Sequence, residues 1–254
     1  MGALHEGHQA LLRRSGGDND TTIVSVFVNP IQFGFGEDFA AYPRDPERDG
    51  LIAQRLGVDL IFAPEPDEMY PADFGTAVTV ADVSEGLCGR ERAGHFRGVA
   101  TVVCKLLNIV QPDRAYFGEK DYQQLQVIRR MTRDLDMPVD IVPVPTVREP
   151  DGLAMSSRNA YLSPAEREVA PRLYQALQAG AQVVAAGGVG AAGVAAARAL
   201  LDTEPHLRVQ YLEAVDPQTL QDKSDAGLPL VLAAAVRLGR TRLIDNVIIN
   251  GERR

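Results

Sequence analysis

The chain has 254 residues, 45% hydrophobic and 24% charged, with a net charge of -8. These values suit a globular protein with a sizeable core, and the negative balance excludes a general nucleic-acid or anionic-membrane surface, which needs clustered Lys and Arg. No apolar run approaches the roughly 20 residues of a membrane span, no signal peptide is readable at the start, and Cys88 and Cys104 are too few for a disulfide framework, so a reducing cytoplasm is the expected compartment.

Residues 4–14 predict a helix that Ser15-Gly16-Gly17-Asp18 stops. Residues 21–28 form a β-branched run, as in a strand buried on both faces. A helix is expected over 45–56, with Leu51, Ile52 and Leu56 at helical spacing, and a buried strand over 58–62. Residues 98–110 read as a helix, 114–117 as a short strand, 121–135 as a helix and 139–144 as a strand. This alternation predicts an α/β fold, a Rossmann-like doubly wound parallel sheet with helices on both faces. Near Val147 the pattern changes, as Pro143, Pro145 and Pro150 lead into the turn signal Asp151-Gly152. Beyond it come a helix over 164–186, an alanine-rich helix over 190–201 packed closely on a neighbour, and strands over 208–215, 228–236 and 242–249. The expected division is a first domain, 1–147, and a smaller α+β domain, 148–254.

Several segments gather chemistry-bearing residues. His5 and His8 stand three apart at a helix start, on one face and beside free backbone N–H groups. With the positive end of the helix dipole they suit phosphate oxygens, and Gly7 leaves room for a ligand to approach the backbone. Two exposed surface histidines are the plain alternative. Zinc is excluded by spacing, one residue short of His-Glu-x-x-His, and His206 is a poor third ligand, so no protein metal site is expected. Asn29-Pro30-Ile31-Gln32 follows a strand at its carboxyl end, where open α/β sheets bind ligands. There Asn29 and Gln32 either offer neutral amides to a small polar substrate or simply form a turn.

Gly118-Glu119-Lys120-Asp121 opens the next helix, with Gln124 one turn past Asp121. Lys120 opposes the helix dipole, which an anionic ligand would explain; Asp121 is otherwise an N-cap. Met155-Ser156-Ser157-Arg158-Asn159 sets two hydroxyls, a cation and an amide beside the expected hinge, as a loop closing on phosphates would, or as a polar linker would. The basic loop from Arg90 to Gly98 is a second candidate lid.

Together the segments MGALHEGH, FVNPIQFG, YPRDPERD, GHFRGV, FGEKDYQQL and TVREPDGLAMSSRNAYLS resemble the pantothenate synthetase (pantoate–β-alanine ligase) family of the His-x-Gly-His nucleotidyltransferases, in order and at similar spacing. The resemblance is strong from Met1 to Ser163 and looser to the final DNVIIN. It implies an AMP-forming ligase of pantothenate biosynthesis, in which ATP with Mg²⁺ adenylates (R)-pantoate, pyrophosphate leaves, and the β-alanine amine attacks the pantoyl adenylate. ATP-site residues implied are Met1, Gly2, Ala3, Leu4, His5, Glu6, Gly7 and His8, then Gly118, Glu119, Lys120, Asp121, Val147, Met155, Ser156, Ser157 and Arg158. His8 is the implied proton donor, and His5, Lys120 and Arg158 share the catalytic work with it. Gln32 and Gln124 are the implied pantoate ligands, with Gln32 also next to β-alanine. A homodimer is implied as well.

His5, His8, Lys120, Arg158 and Mg²⁺ would offset the repulsion between a carboxylate and a triphosphate. Glutamines would leave the pantoate carboxylate reactive, where an arginine clamp would stabilise the ground state too. Members of the family carry roughly one strand and one helix before the MGALH element, the strand being central in a doubly wound sheet. The resemblance therefore implies an N-terminally truncated chain, with a catalytically dead, nucleotide-binding or dimerising remnant as the alternative.

Overall fold

A computed structural model describes residues 2–251. Helix α1 (Glu6–Asp18) runs through Ser15-Gly16-Gly17, where the sequence predicts a stop. Asn19 closes it instead, its backbone N–H and side-chain Nδ2 both donating to the Ser15 carbonyl at 3.1 and 2.8 Å. Each late glycine costs about 1 kcal/mol against alanine, which this double cap offsets. Strand β1 (Ile23–Ser25) is followed by α2 (Pro46–Arg55), which Asp45 caps by accepting the Arg48 N–H, and then by β2 (Leu60–Phe62), parallel to β1. The β-branched run is a shorter strand than expected, and burial on both faces does not hold. Val24 packs with Leu4, Leu12, Ile52 and Ala53, whereas Leu60 and Ile61 are 59% and 45% exposed.

Short helices α3 (Pro66–Met69) and α4 (Leu87–Glu91), neither readable from periodicity, precede α5 (His95–Val110). Then come β3 (Arg114–Gly118), α6 (Tyr122–Asp134) and β4 (Asp140–Val144), with β3 and β4 parallel. Among the described residues the two parallel ladders share no strand pairing. Residues of both, Ile23 and Ser25 of β1 and Ala115, Tyr116 and Phe117 of β3, line a cavity of about 1320 Å³.

The remaining elements are α7 (Pro164–Val169), α8 (Arg172–Ala185), α9 (Gly190–Leu201) and the antiparallel strands β5 (Leu207–Val215), β6 (Leu230–Leu238) and β7 (Thr241–Ile249). The single helix expected over 164–186 breaks at Pro171, which has no N–H to continue the ladder. Gly180 and Gly193 let α8 and α9 touch: a Cβ on Gly180 would lie 2.4 Å from the Gly193 carbonyl oxygen. Strand β6 is buried on both faces. Leu230, Leu232, Ala234, Val236 and Leu238 pack with α8 and α9, and Val231, Ala233 and Ala235 join the core of α5 and α6. The start of α1 and the turns after β1, β3 and β4 therefore meet at one cavity.

Candidate active site

His5 is the N-cap of α1 and His8 its third residue, and the pair forms a capping box from two imidazoles. His5 Nδ1 accepts the Gly7 N–H at 3.1 Å, and His8 Nδ1 accepts the His5 N–H at 3.3 Å. With Nδ1 used as an acceptor, each neutral ring carries its proton on Nε2. The rings stack 3.9 Å apart. Burial, then Lys120, pulls the His5 pKa down to about 4, and burial with the neighbouring His5 holds His8 well below 6.5. At neutral pH the two are uncharged Nε2–H donors. Gly7 lines the cavity and also makes room for the folded-back ring, since a Cβ there would sit 2.9 Å from His5 Cε1.

After β1, residues Pro30–Gln32 form a short 3₁₀ turn. Asn29 is 3% exposed and fully engaged: Nδ2 donates to the Gly98 carbonyl and to Gln32 Oε1, while Oδ1 accepts from the Tyr70 hydroxyl. It brackets the turn; Asn29 and Gln32 both line the cavity, and with Asn29 engaged Gln32 is the amide of the two left to face a substrate. Gly98 lets α5 press on that turn, since a Cβ there would lie 2.4 Å from the Ile31 carbonyl oxygen. His95 adds a relay that motif reading missed. Its Nδ1 donates to the Gln32 carbonyl at 2.9 Å, and its Nε2 accepts from Arg92 at 2.9 Å. Burial and the adjacent Arg92 pull its pKa down to about 4, consistent with that neutral tautomer.

Beyond β3, Glu119–Asp121 form a second 3₁₀ turn, held by the Asn246 amide, which donates to the Glu119 and Lys120 carbonyls at 2.9 and 3.0 Å. Asp121 makes no side-chain cap bond, so it is not spent on starting α6; its carboxylate lies 3.8 Å from Lys120 Nζ. Gly118, Lys120, Asp121 and Gln124 line the cavity. Of the glutamines on α6, Gln123 is consumed by Cys88 N–H and the Val83 and Gly86 carbonyls, which leaves Gln124 as the amide facing the cavity.

The turn after β4 is pinned by a bridge between Arg148 and Ala154 and by the Met155 N–H donating to the Val147 carbonyl. Val147, Met155, Ser156, Ser157 and Arg158 all line the cavity. Ser157 Oγ is buried without a hydrogen-bond partner, an orphan that a ligand oxygen would satisfy. Arg158 donates Nε and Nη2 to the Asp38 carboxylate at 2.8 and 2.9 Å. Under the turn, Arg148 clamps the nearly buried Asp245 with two bonds, 2.6 and 2.9 Å, and lies over the Tyr174 ring. No local motif announces that pair, whose members are 97 residues apart.

Five of the expected ATP-site residues are absent from the cavity lining. Gly2 and Leu4 are buried in protein, and the Leu4 N–H donates to Asp49 at 2.6 Å. Glu6 is exposed and pairs with Arg13, and Glu119 contributes a carbonyl to Asn246. Ala3, at φ 50, is likewise absent from the lining, and Met1 lies outside the described residues. Among the described residues no cluster of three His, Cys, Asp or Glu could hold a metal.

Comparison with known proteins bears on this arrangement. The family model for pantoate-beta-alanine ligase matches residues 1–248. A bifunctional pantoate ligase/cytidylate kinase of Synechococcus sp. (strain JA-3-3Ab) is 54% identical over 99% of this chain, which spans 48% of that protein. The crystal structure of pantothenate synthetase from Thermus thermophilus superposes with a TM-score of 0.96 at 52% identity, over 99% of this chain and 91% of that one. Pantoate-beta-alanine ligase from Francisella tularensis, complexed with beta-gamma ATP and beta-alanine, superposes at 0.80 with 33% identity, over 98% and 87%. The chain belongs to the pantoate–β-alanine ligase family.

Proposed function

We propose that this protein ligates pantoate and β-alanine to pantothenate at the expense of ATP, through a pantoyl adenylate. The observation that carries the reading is one cavity with two chemistries. Phosphate-type donors, the Nε2–H groups of His5 and His8, Lys120, the orphan Ser157 hydroxyl and Arg158, share it with the neutral amides of Gln32 and Gln124. A pantoate carboxylate oxygen bonds to the α-phosphorus as the bond to the bridging oxygen of pyrophosphate breaks. Charge growing on the phosphates meets the preorganised donors of His5, His8 and Lys120. The β-alanine amine then attacks the acyl carbon, loses a proton, and AMP leaves with its oxygen. Gln32 and Gln124 orient pantoate without clamping its carboxylate, so binding energy goes to the transition state.

Mg²⁺ enters as part of the Mg–ATP substrate, with the Asp121 carboxylate, 3.8 Å from Lys120 Nζ, the acidic group beside the phosphate donors. Free Cys88 and Cys104 fit a reducing cytoplasm. The family resemblance supports a homodimer and a hinge near residue 147. Pantoate-dependent exchange of pyrophosphate into ATP, without β-alanine, tests the first half-reaction. Exchange that ignores pantoate, or formation of no AMP once β-alanine is added, refutes the proposal.

A further inference from the structure

Arg158 is committed to a partner in this structure. Asp38 holds its guanidinium by the Nε and Nη2 fork, and the Tyr42 ring lies 5.4 Å from its centre. That planar fork is the same one a phosphate would take. Arg158 lines both the main cavity and a smaller one of about 350 Å³, whereas Asp38 lines only the smaller. The carboxylate therefore holds the guanidinium from the side of the smaller cavity, which Lys120 also lines and His5 and His8 do not. Asp38 belongs to segment 34–42, whose internal bonds are short turns: Glu37 N–H to the Gly34 carbonyl and Ala41 N–H to the Asp38 carbonyl, both 3.1 Å, and Tyr42 N–H to the Phe39 carbonyl at 3.4 Å. Polar ties to the rest of the molecule are Asp38 on Arg158, Glu37 on Arg92 at 2.6 and 2.7 Å, the Tyr161 hydroxyl on the Ala41 carbonyl, and the adjacent Arg44 on the Phe39 and Tyr42 carbonyls, both at 3.0 Å.

We propose that Asp38 is a displaceable counter-ion for Arg158, which yields the guanidinium fork to a phosphate of the incoming nucleotide and so frees segment 34–42 when ATP binds. The proposal rests on the ligase reading of the cavity. Asp38 is a positioning residue and touches no substrate; its carboxylate competes with phosphate for one set of donors. The energetic consequence is a tax on nucleotide affinity, equal to the fraction of molecules in which Arg158 is released.

Calorimetric titration with Mg–ATP and, separately, with pyrophosphate tests it at low salt. Asp38→Asn is expected to bind both about 3- to 10-fold tighter than wild type, because the tax is removed. Asp38→Glu, which keeps the charge, should restore wild-type affinity, and Glu37→Gln, which loses the Arg92 pair only, should leave ATP affinity within about 2-fold. Equal or weaker binding by Asp38→Asn overturns the proposal. Hydrogen exchange on the wild type provides a second readout that needs no variant: ATP should speed exchange at the Ala41 and Tyr42 amides, and protection there overturns the idea. A wild type that binds neither ligand refutes the ligase reading along with this inference, whereas pantoate-dependent exchange with no effect of Asp38→Asn refutes the inference alone.

Discussion

His5 and His8 cap one helix for each other: the Nδ1 of each ring accepts a backbone N–H from the first turn of α1, and the rings stack at 3.9 Å. Helix capping and phosphate recognition are thereby done by opposite edges of the same two imidazoles. Substitutions can separate the two jobs. Asn at position 5 is a good N-cap, and Gln at position 8 can still return a bond to the cap backbone. His5→Asn and His8→Gln should keep the melting temperature close to wild type while lowering kcat about 10²- to 10³-fold, as loss of a preorganised donor does. Thermal melts beside exchange kinetics decide it. A variant that melts early and keeps its specific activity would assign the histidines to structure alone.

The same burial sets a pH dependence of stability. His5 and His95 titrate near 4 in the folded protein against 6.5 when exposed. Between those values the unfolded chain binds more protons, so stability falls as pH drops from 6.5 towards 4 and is flat above about 7. Glu37, lowered to about 2 from 4.5 because Arg92 holds its carboxylate, contributes stability above 4.5 that is lost as pH falls through 2. Both effects have one sign, and the histidines act first. Urea unfolding at pH 7.5, 6.5, 5.5 and 4.5 should show midpoints falling from the second point onward. A midpoint that rises on acidification contradicts the neutral rings.

Local chemistry in this chain was legible where one residue decides the outcome. The helical spacing of Leu51, Ile52 and Leu56 announced α2, the turns after β1 and β3 announced Gln32 and Lys120, and the MSSR loop announced Arg158. Illegible were features settled by partners that the motif itself does not contain. Asn29 looks like a ligand amide in its own segment, but Gly98 and Tyr70, 69 and 41 residues away, consume it. Gly16 and Gly17 look like a helix stop, yet the Asn19 cap and the Ser15–Thr22 hydroxyl contact at 3.2 Å carry the helix on. Strand burial misled for a related reason: composition records the preference of Ile23, Leu60 and Ile61 for cover, whereas exposure depends on what is packed against them.

Gly7 provides a test in which stability and activity part company. Alanine in a helix interior is favoured over glycine by about 1 kcal/mol. At this position, however, its Cβ would press the His5 ring at 2.9–3.0 Å, and the ring would have to swing off the Gly7 N–H. Gly7→Ala should therefore lose exchange activity by at least about tenfold with little change in melting temperature. Full activity in this variant would show that the folded-back imidazole is dispensable.

Asp245 anchors the turn that carries Arg158 while lying far from the phosphate donors in sequence. Its side chain is 2% exposed and takes two bonds from Arg148, whose guanidinium also donates to the Gly152 carbonyl and stacks on Tyr174. Removing one member of a buried pair leaves the other charge without compensation, at a cost of about 3–5 kcal/mol. Asp245→Asn keeps the shape and removes the charge, so it should destabilise towards the lower end of that range. It should also raise the ATP KM more than the β-alanine KM, because the bridge of Arg148 to Ala154 sets where Ser156, Ser157 and Arg158 stand. Replacing both partners by apolar residues of similar size should recover much of the stability, as exchanged buried pairs do, without recovering the ATP KM. If the double variant regains both, the pair contributes to folding only, and the position of Arg158 is set by Asp38 and the Ser156 cap instead.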